Sequence, residues 1–244
     1  MSPADATPLL LLRDLVKERR QEHGFRLLVP KLDILPGERI ALLGRSGSGK
    51  STLLDMLALI LKPESADAFI FQPPGQEAAD LFAVWQSRNV ADVLGKLRLA
   101  NMGYVLQTGG LLPFLTVRDN ILLSLRVQGK PDDMERLKKL TDSLSVTRLL
   151  SKLPSQISLG ERQRVSIARA LIHEPFLIIA DEPTAALDPI TGAAVFDLLL
   201  ELAEGTTLIA ATHDWNRARD SSFRVLNINL AQDKQGDVTA TVEE

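Results

Sequence analysis

Gly44-Arg45-Ser46-Gly47-Ser48-Gly49-Lys50-Ser51 lies between a short apolar run, Arg39 to Leu43, and a stretch of helical character, Lys50 to Leu61. Few local patterns tie a chain so closely to one backbone arrangement. The spacing G-x-x-x-x-G-K-[ST] predicts a buried strand, a glycine loop and a helix in that order. The glycines let backbone N–H groups close around phosphate oxygens, and the helix aims its positive end at the same place. Lys50 is expected to reach the β- and γ-phosphates of a nucleotide, and Ser51 to offer its hydroxyl to Mg²⁺. The binding stretch is read as Gly44, Arg45, Ser46, Gly47, Ser48, Gly49, Lys50, Ser51 and Thr52.

A second acidic feature follows in the order such a loop requires. Phe176-Leu177-Ile178-Ile179-Ala180 is a continuous apolar strand of the parallel, doubly covered type, and it ends in Asp181-Glu182. Ligands of open parallel sheets bind outside the carboxyl ends of strands. Asp181 is placed to hold Mg²⁺ there, and Glu182 to orient and activate an attacking water.

Several function classes are excluded by composition. The 244 residues carry a formal net charge of −3, which gives no electrostatic case for nucleic-acid binding. There is no cysteine, so disulfides, thiolate metal sites and cysteine nucleophiles are absent. The longest apolar runs, Leu9 to Leu12 and Leu57 to Leu61, fall far short of the roughly 20 residues of a membrane span. The N-terminus has neither the basic region nor the apolar run of a signal peptide. Any membrane role is expected to come through a partner.

Elsewhere the pattern alternates. Leu9 to Val16, Phe25 to Leu35, Met102 to Leu106, Thr206 to Ala211 and Phe223 to Leu230 read as strands. Glu77 to Leu99, Thr116 to Gln128, Met134 to Leu153, Ser158 to His173 and Ala193 to Ala203 read as helices, and the tail from Ala231 as a frayed polar end. The order predicts a mainly parallel α/β sheet.

Taken together the motifs resemble the nucleotide-binding subunit of ATP-binding-cassette (ABC) transporters, over about residues 9 to 230. Gln107, after Gly103-Tyr104-Val105-Leu106, resembles the family's glutamine loop. Ile157-Ser158-Leu159-Gly160-Glu161-Arg162-Gln163-Arg164 resembles its signature motif, with Leu159 and Glu161 in place of the first glycine and the glutamine of L-S-G-G-Q. Ser158 and Glu161 also form a capping-box pattern. Leucine at 159 forbids easy positive φ, which calls the local backbone shape into question. Ala185-Ala186-Leu187-Asp188 resembles the D-loop, and His213 the switch histidine. The turn from Lys17 to Gly24 lacks the aromatic residue that stacks on adenine in the family; Phe25 is a candidate for that role and for core packing.

The resemblance implies an α/β fold: a P-loop NTPase core with a mainly parallel sheet, an antiparallel β subdomain and an inserted α-helical subdomain. It implies one domain over 1–244, with an ATP-binding core at about 1–107 and 156–230, the helical subdomain at about 108–155, and a tail at 231–244. It implies hydrolysis of ATP with Mg²⁺. Glu182, His213 and Gln107 would be catalytic, and Ser51, Gln107 and Asp181 would hold the metal. Ser158 and Gly160 would meet the γ-phosphate bound by a second copy in a head-to-tail homodimer. The implied partners are integral membrane transporter subunits, met through the apolar loop Thr108 to Val117, at the cytoplasmic face of the inner membrane; no nucleic acid is implied. Leu111-Leu112-Pro113 with Thr116 to Asn120 is similar to the lipoprotein-release and macrolide-export branch. The alternatives are a soluble ABC ATPase that energises assembly of a non-transport complex, and a module in which ATP binds without being hydrolysed.

Overall fold

The computed structural model describes residues 7–19, 24–212, 222–233 and 235–244. The chain divides into two compact units, Met1–Lys96 with Ala211–Glu244, and Leu97–Ala210.

The first unit is built on a hairpin. Strand β1 (Leu10–Arg19) pairs antiparallel with β2 (Phe25–Ile34). β1 runs further than its apolar residues suggest, because Lys17, Glu18 and Arg19 find backbone partners in Leu27, Arg26 and Phe25. Polar side chains on the solvated face of such a pair cost the ladder nothing. The other edge of β1 pairs with β3 (Ala68–Phe71), a strand hidden in the sequence by the prolines around it, and β3 pairs with the short β4 (Ala79–Asp80).

Where helical spacing suggested one long helix from Glu77, the chain forms β4, then α2 (Leu81–Trp85) and α3 (Val90–Asn101). Asp80 caps α2 by accepting from the Ala83 N–H, which fixes a helix start where the spacing alone showed none.

The strand before the glycine loop is β5 (Arg39–Leu43), with Ile40 to Leu43 buried. It leads through the loop to α1 (Lys50–Leu57), which stops before the expected Leu61 because Leu59 turns to φ 58°. β5 pairs in parallel with β6 (Arg224–Gln232). The end of the chain is not frayed. Val238–Glu243 forms β7, antiparallel to β6 and parallel to β2, with Ala240 and Val242 buried. The order within this unit is β4-β3-β1-β2-β7-β6-β5.

In the second unit, β8 (Met102–Val105) pairs in parallel with β9 (Leu177–Asp181), and β10 (Thr207–Ala211) follows on the other side of β9. Helix α4 (Val117–Val127) is capped by Thr116 at its start. The expected helix from Met134 to Leu153 is only α5 (Met134–Ser143), since Ser145 takes φ 55° and two 3-10 turns follow, Thr147–Leu149 and Pro154–Gln156. Helix α6 (Leu159–Leu171) crosses β8 so closely that a Cβ on Gly103 would lie 2.3 Å from the Ala170 carbonyl oxygen. Helix α7 (Pro189–Leu202) completes the unit.

Candidate functional site

The phosphate loop lies in the first unit. Gly47 and Gly49 take φ of 78° and 102°, which other residues adopt only under strain. Gly49 has a second reason to be glycine: a Cβ there would lie 2.9 Å from Cζ of Phe25. The edge of the half-buried Phe25 ring therefore closes against the loop. A Cβ on Gly44 would collide with Oγ of Ser48 at 2.5 Å.

The loop is shaped for an anion. Lys50 is almost wholly buried, and its ammonium donates to the carbonyls of Gly44 (3.0 Å) and Arg45 (3.2 Å), bending over the loop. Helix α1 has no acidic residue in its first turn to neutralise its positive end. Oγ of Ser48 is buried with no hydrogen-bond partner. Uncapped helix, curled lysine and orphaned hydroxyl together fit a polyphosphate. Ser51 is exposed and Thr52 buried on the first turn.

The remaining site residues fall in the second unit. Asp181 is the last residue of β9, half-buried, and Glu182 follows at φ 46°. A glutamate in the left-handed region is a strained arrangement of the kind that persists at functional sites. The turn is held by the Ala185 N–H on the Glu182 carbonyl (3.1 Å) and the Leu187 N–H on that of Thr184 (3.0 Å). Asp188 then caps α7 by accepting from the Thr191 N–H at 3.0 Å. Hydrogen bonding from the Thr191 side chain first, and this backbone bond second, holds the Asp188 carboxyl below its ordinary range.

Helix α6 starts on the capping box read from the sequence. The Ser158 N–H donates to Glu161 Oε2 (2.8 Å), the Glu161 N–H donates to Ser158 Oγ (3.3 Å), and Arg148 donates to Glu161 Oε1 (2.7 Å). Leu159 is the first helical residue and is not among the positive-φ residues, so the glycine it replaces is not needed for backbone shape. A Cβ on Gly160 would lie 3.3 Å from Thr191 Cγ2, which brings the signature motif against the D-loop and the start of α7. Gln107 is exposed just after β8, and Gln163 of α6 donates to the carbonyl of its neighbour Leu106 (3.1 Å). His213 lies outside the described residues. Arg148, and Thr191 as a neighbour of Gly160, carry no signal in the sequence, because those contacts are made through space.

The comparisons with known proteins agree on one family. A family model described as ABC transporter matches residues 29–185, well over half of the chain. The chain belongs to the ABC transporter family. It is 38% identical to the lipoprotein-releasing system ATP-binding protein LolD of Shewanella denitrificans, over 77% of each chain. It is 37% identical to LolD 2 of Caulobacter vibrioides over 87% of this chain and 91% of that one. The macrolide export ATP-binding/permease protein MacB of Psychrobacter cryohalolentis matches 91% of this chain at 37% identity with 32% of its own length. A solved dimer of the ATP-binding cassette MJ0796, in a post-hydrolysis state with ADP and Pi, superposes with TM-score 0.74 at 33% identity, covering 89% of this chain and 93% of that one.

This ABC chain is an ATP-binding, ATP-hydrolysing transporter subunit with a P-loop NTPase fold. The readings of it as a non-transport ATPase or a non-hydrolytic module are set aside.

Proposed function

We propose that the chain works at the cytoplasmic face of the inner membrane as a head-to-tail homodimer, driving separate membrane subunits of lipoprotein-release or macrolide-export type. The observation that carries the dimer is the state of the signature motif. Ser158 stands exposed at the start of α6, and although Glu161 takes its backbone N–H, its hydroxyl keeps a proton to donate, which supports reading this surface as half of a phosphate site.

In this reading the phosphate loop, Asp181, Glu182, Gln107 and His213 of one subunit face Ser158 and Gly160 of the other across each ATP. Oxygen ligands from Ser51, Asp181 and Gln107 suit Mg²⁺, which when bound offsets charge on the phosphate oxygens. Lys50 leaves the Gly44 and Arg45 carbonyls for the β- and γ-phosphates. The Glu182 carboxylate takes a proton from water as the water oxygen bonds to the γ-phosphorus. The bond to the β–γ bridging oxygen breaks, leaving ADP and phosphate. ATP favours the closed dimer because only that state offers both halves of the site. Residues 108–155 form the subdomain that meets the membrane subunits.

Replacing Glu182 with Gln tests the chemistry. ATP binding should persist, hydrolysis should fall by roughly 10²- to 10⁴-fold, and ATP-bound dimers should accumulate on size-exclusion chromatography. Near-normal turnover in E182Q removes Glu182 from the role of base; loss of turnover without dimers removes the composite site.

A further inference from the structure

His173 takes no part in the phosphate chemistry, and it lies buried just beyond the end of α6. One ring nitrogen, Nε2, is 3.0 Å from the Met102 carbonyl oxygen at the start of β8. A carbonyl only accepts, so Nε2 carries the ring proton and donates it. Nδ1 is then the bare nitrogen. Among the described residues Nδ1 is shielded from solvent without a hydrogen-bond partner. The ring therefore fits its place in the neutral form alone. A second proton, on Nδ1, would be a buried donor with nothing to receive it.

The charges around the ring oppose that proton as well. Arg136 of α5 and Lys130, in the connection from α4 to α5, both act against it. Glu174 follows in sequence, but its carboxylate is paired with Arg136 at 2.8 Å. Before Met102 stands Asn101, an uncharged amide whose Nδ2 donates to the Leu97 carbonyl (3.0 Å). A helix C-terminus ordinarily favours a protonated histidine. Here the last carbonyls of α6 are already taken, because Arg136 donates to those of Leu171 (2.8 Å) and Ile172 (3.1 Å). Burial first, then Lys130 and Arg136, hold the His173 pKa below its ordinary 6.5, against the pull of the Met102 bond.

The bond closes one end of a longer grip. At the other end Gln163 donates to the Leu106 carbonyl (3.1 Å), and Arg169 donates to those of Gly110 (2.8 Å) and Gly109 (3.0 Å). One helix thus carries Ser158 and Gly160 at its start and holds the run from Met102 past Gln107 along its length. Amide and guanidinium do not titrate near neutral pH, so the His173 contact is the member of this set that a proton can break.

We infer that His173 is a proton-operated clasp between α6 and β8, shut when the ring is neutral and released when it is protonated. Release lets the Met102 end of β8 part from the helix and slackens the strand that leads to Gln107. The clasp lies within one copy of the chain, so it works with or without a partner.

His173→Gln places an amide N–H where Nε2 stands, which keeps the donor and removes the titration. Because the folded value is lowered, the unfolded chain takes up the proton first. Wild type should therefore lose stability as pH falls through 6.5, and the loss should level off below the lowered value. The ratio of the two chains' folding constants, from urea unfolding, should be flat above about pH 7.5. Below 6.5 it should move against wild type by up to about tenfold per pH unit. Amide exchange, corrected for the intrinsic effect of pH, should rise on acidification at 102–107 and 168–174 in wild type and stay level in the variant.

A second measurement does not depend on the variant folding. The chain has three histidines, so His23→Gln with His213→Gln leaves His173 alone. Its ring resonances should titrate below 6.5 in the folded protein. A folding-constant ratio that stays flat down to about pH 5 overturns the inference. So does a His173 ring that titrates at 6.5 or above, or acid-induced exchange spread evenly over Leu97–Ala210.

Discussion

Gly47 and Gly49 look interchangeable in the sequence, and the structure separates them. Both take positive φ, but a Cβ on Gly47 would meet nothing within 4 Å, whereas one on Gly49 would press on Phe25 at 2.9 Å. Gly47→Ala should therefore cost only the left-handed backbone term, about 1–2 kcal/mol. Gly49→Ala carries that term and a collision as well, and should cost about 1–3 kcal/mol more. Shortening the ring with Phe25→Leu should recover part of the second cost and none of the first. Urea denaturation of Gly47→Ala, and of the double-mutant cycle made by Phe25→Leu, Gly49→Ala and their pair, measures this. Equal destabilisation at both glycines would show that Phe25 gives way. The same reasoning revises the sequence reading of the signature motif. Leu159 raised a doubt about backbone shape that applies only where φ is positive, and here the residue opens a helix.

The start of α6 is an element whose stability depends on pH. Glu161 is held below its ordinary value of 4.5, first by the Ser158 N–H it accepts, then by the Ser158 hydroxyl and by the nearby Arg148 and Arg164. With the folded value depressed, the unfolded chain binds the proton more readily. The contribution is therefore complete above the ordinary value and disappears as pH falls through the lowered one. Glu161→Gln can still accept from Ser158 but carries no charge for Arg148. The variant should be less stable than wild type by about 1 kcal/mol near pH 7. That gap should narrow as pH is taken below about 4, as read by urea midpoints at each pH. A gap of constant size would show that the carboxylate's charge contributes nothing to the cap. This element was legible because a capping box is local: serine, glutamate and spacing all lie within four residues. Arg148 was not, because it approaches from thirteen residues away across the fold. The same distinction explains α5. Its apolar period continued to Leu153, but nothing in the period records that Ser145 would leave the helix.

Across the whole molecule, motifs were easier to read than pairings. The phosphate loop, the acidic strand end and the signature helix announce themselves through chemistry concentrated in a few adjacent residues. Strand β3 and strand β7 do not, because each is stabilised by partners far away in sequence. The end of the chain is the sharper case, since Val238–Glu243 alternates apolar and polar residues at strand period, a signal masked by its shortness and by the polar residues before it. Its backbone lies between β2 and β6, parallel to one and antiparallel to the other, with Ala240 and Val242 facing inward. Removing it would leave two strand edges of the first unit unpaired at once, and exposed edges invite association with other chains. Truncation before Val238 should therefore do more than trim a terminus. We expect a loss of several kcal/mol, since a stretch of ladder bonds and two buried apolar side chains disappear together. Aggregation on mild heating should follow, measured by light scattering beside a thermal melt of the full chain. ATP binding should weaken too, because β6 pairs directly with β5, the strand that delivers the phosphate loop. A truncated chain that melts, stays monodisperse and binds ATP like the full one would show that the sheet closes without β7. A truncation that aggregates only when ATP is absent would place the strand's contribution in the loop's support, where nucleotide binding can compensate for it.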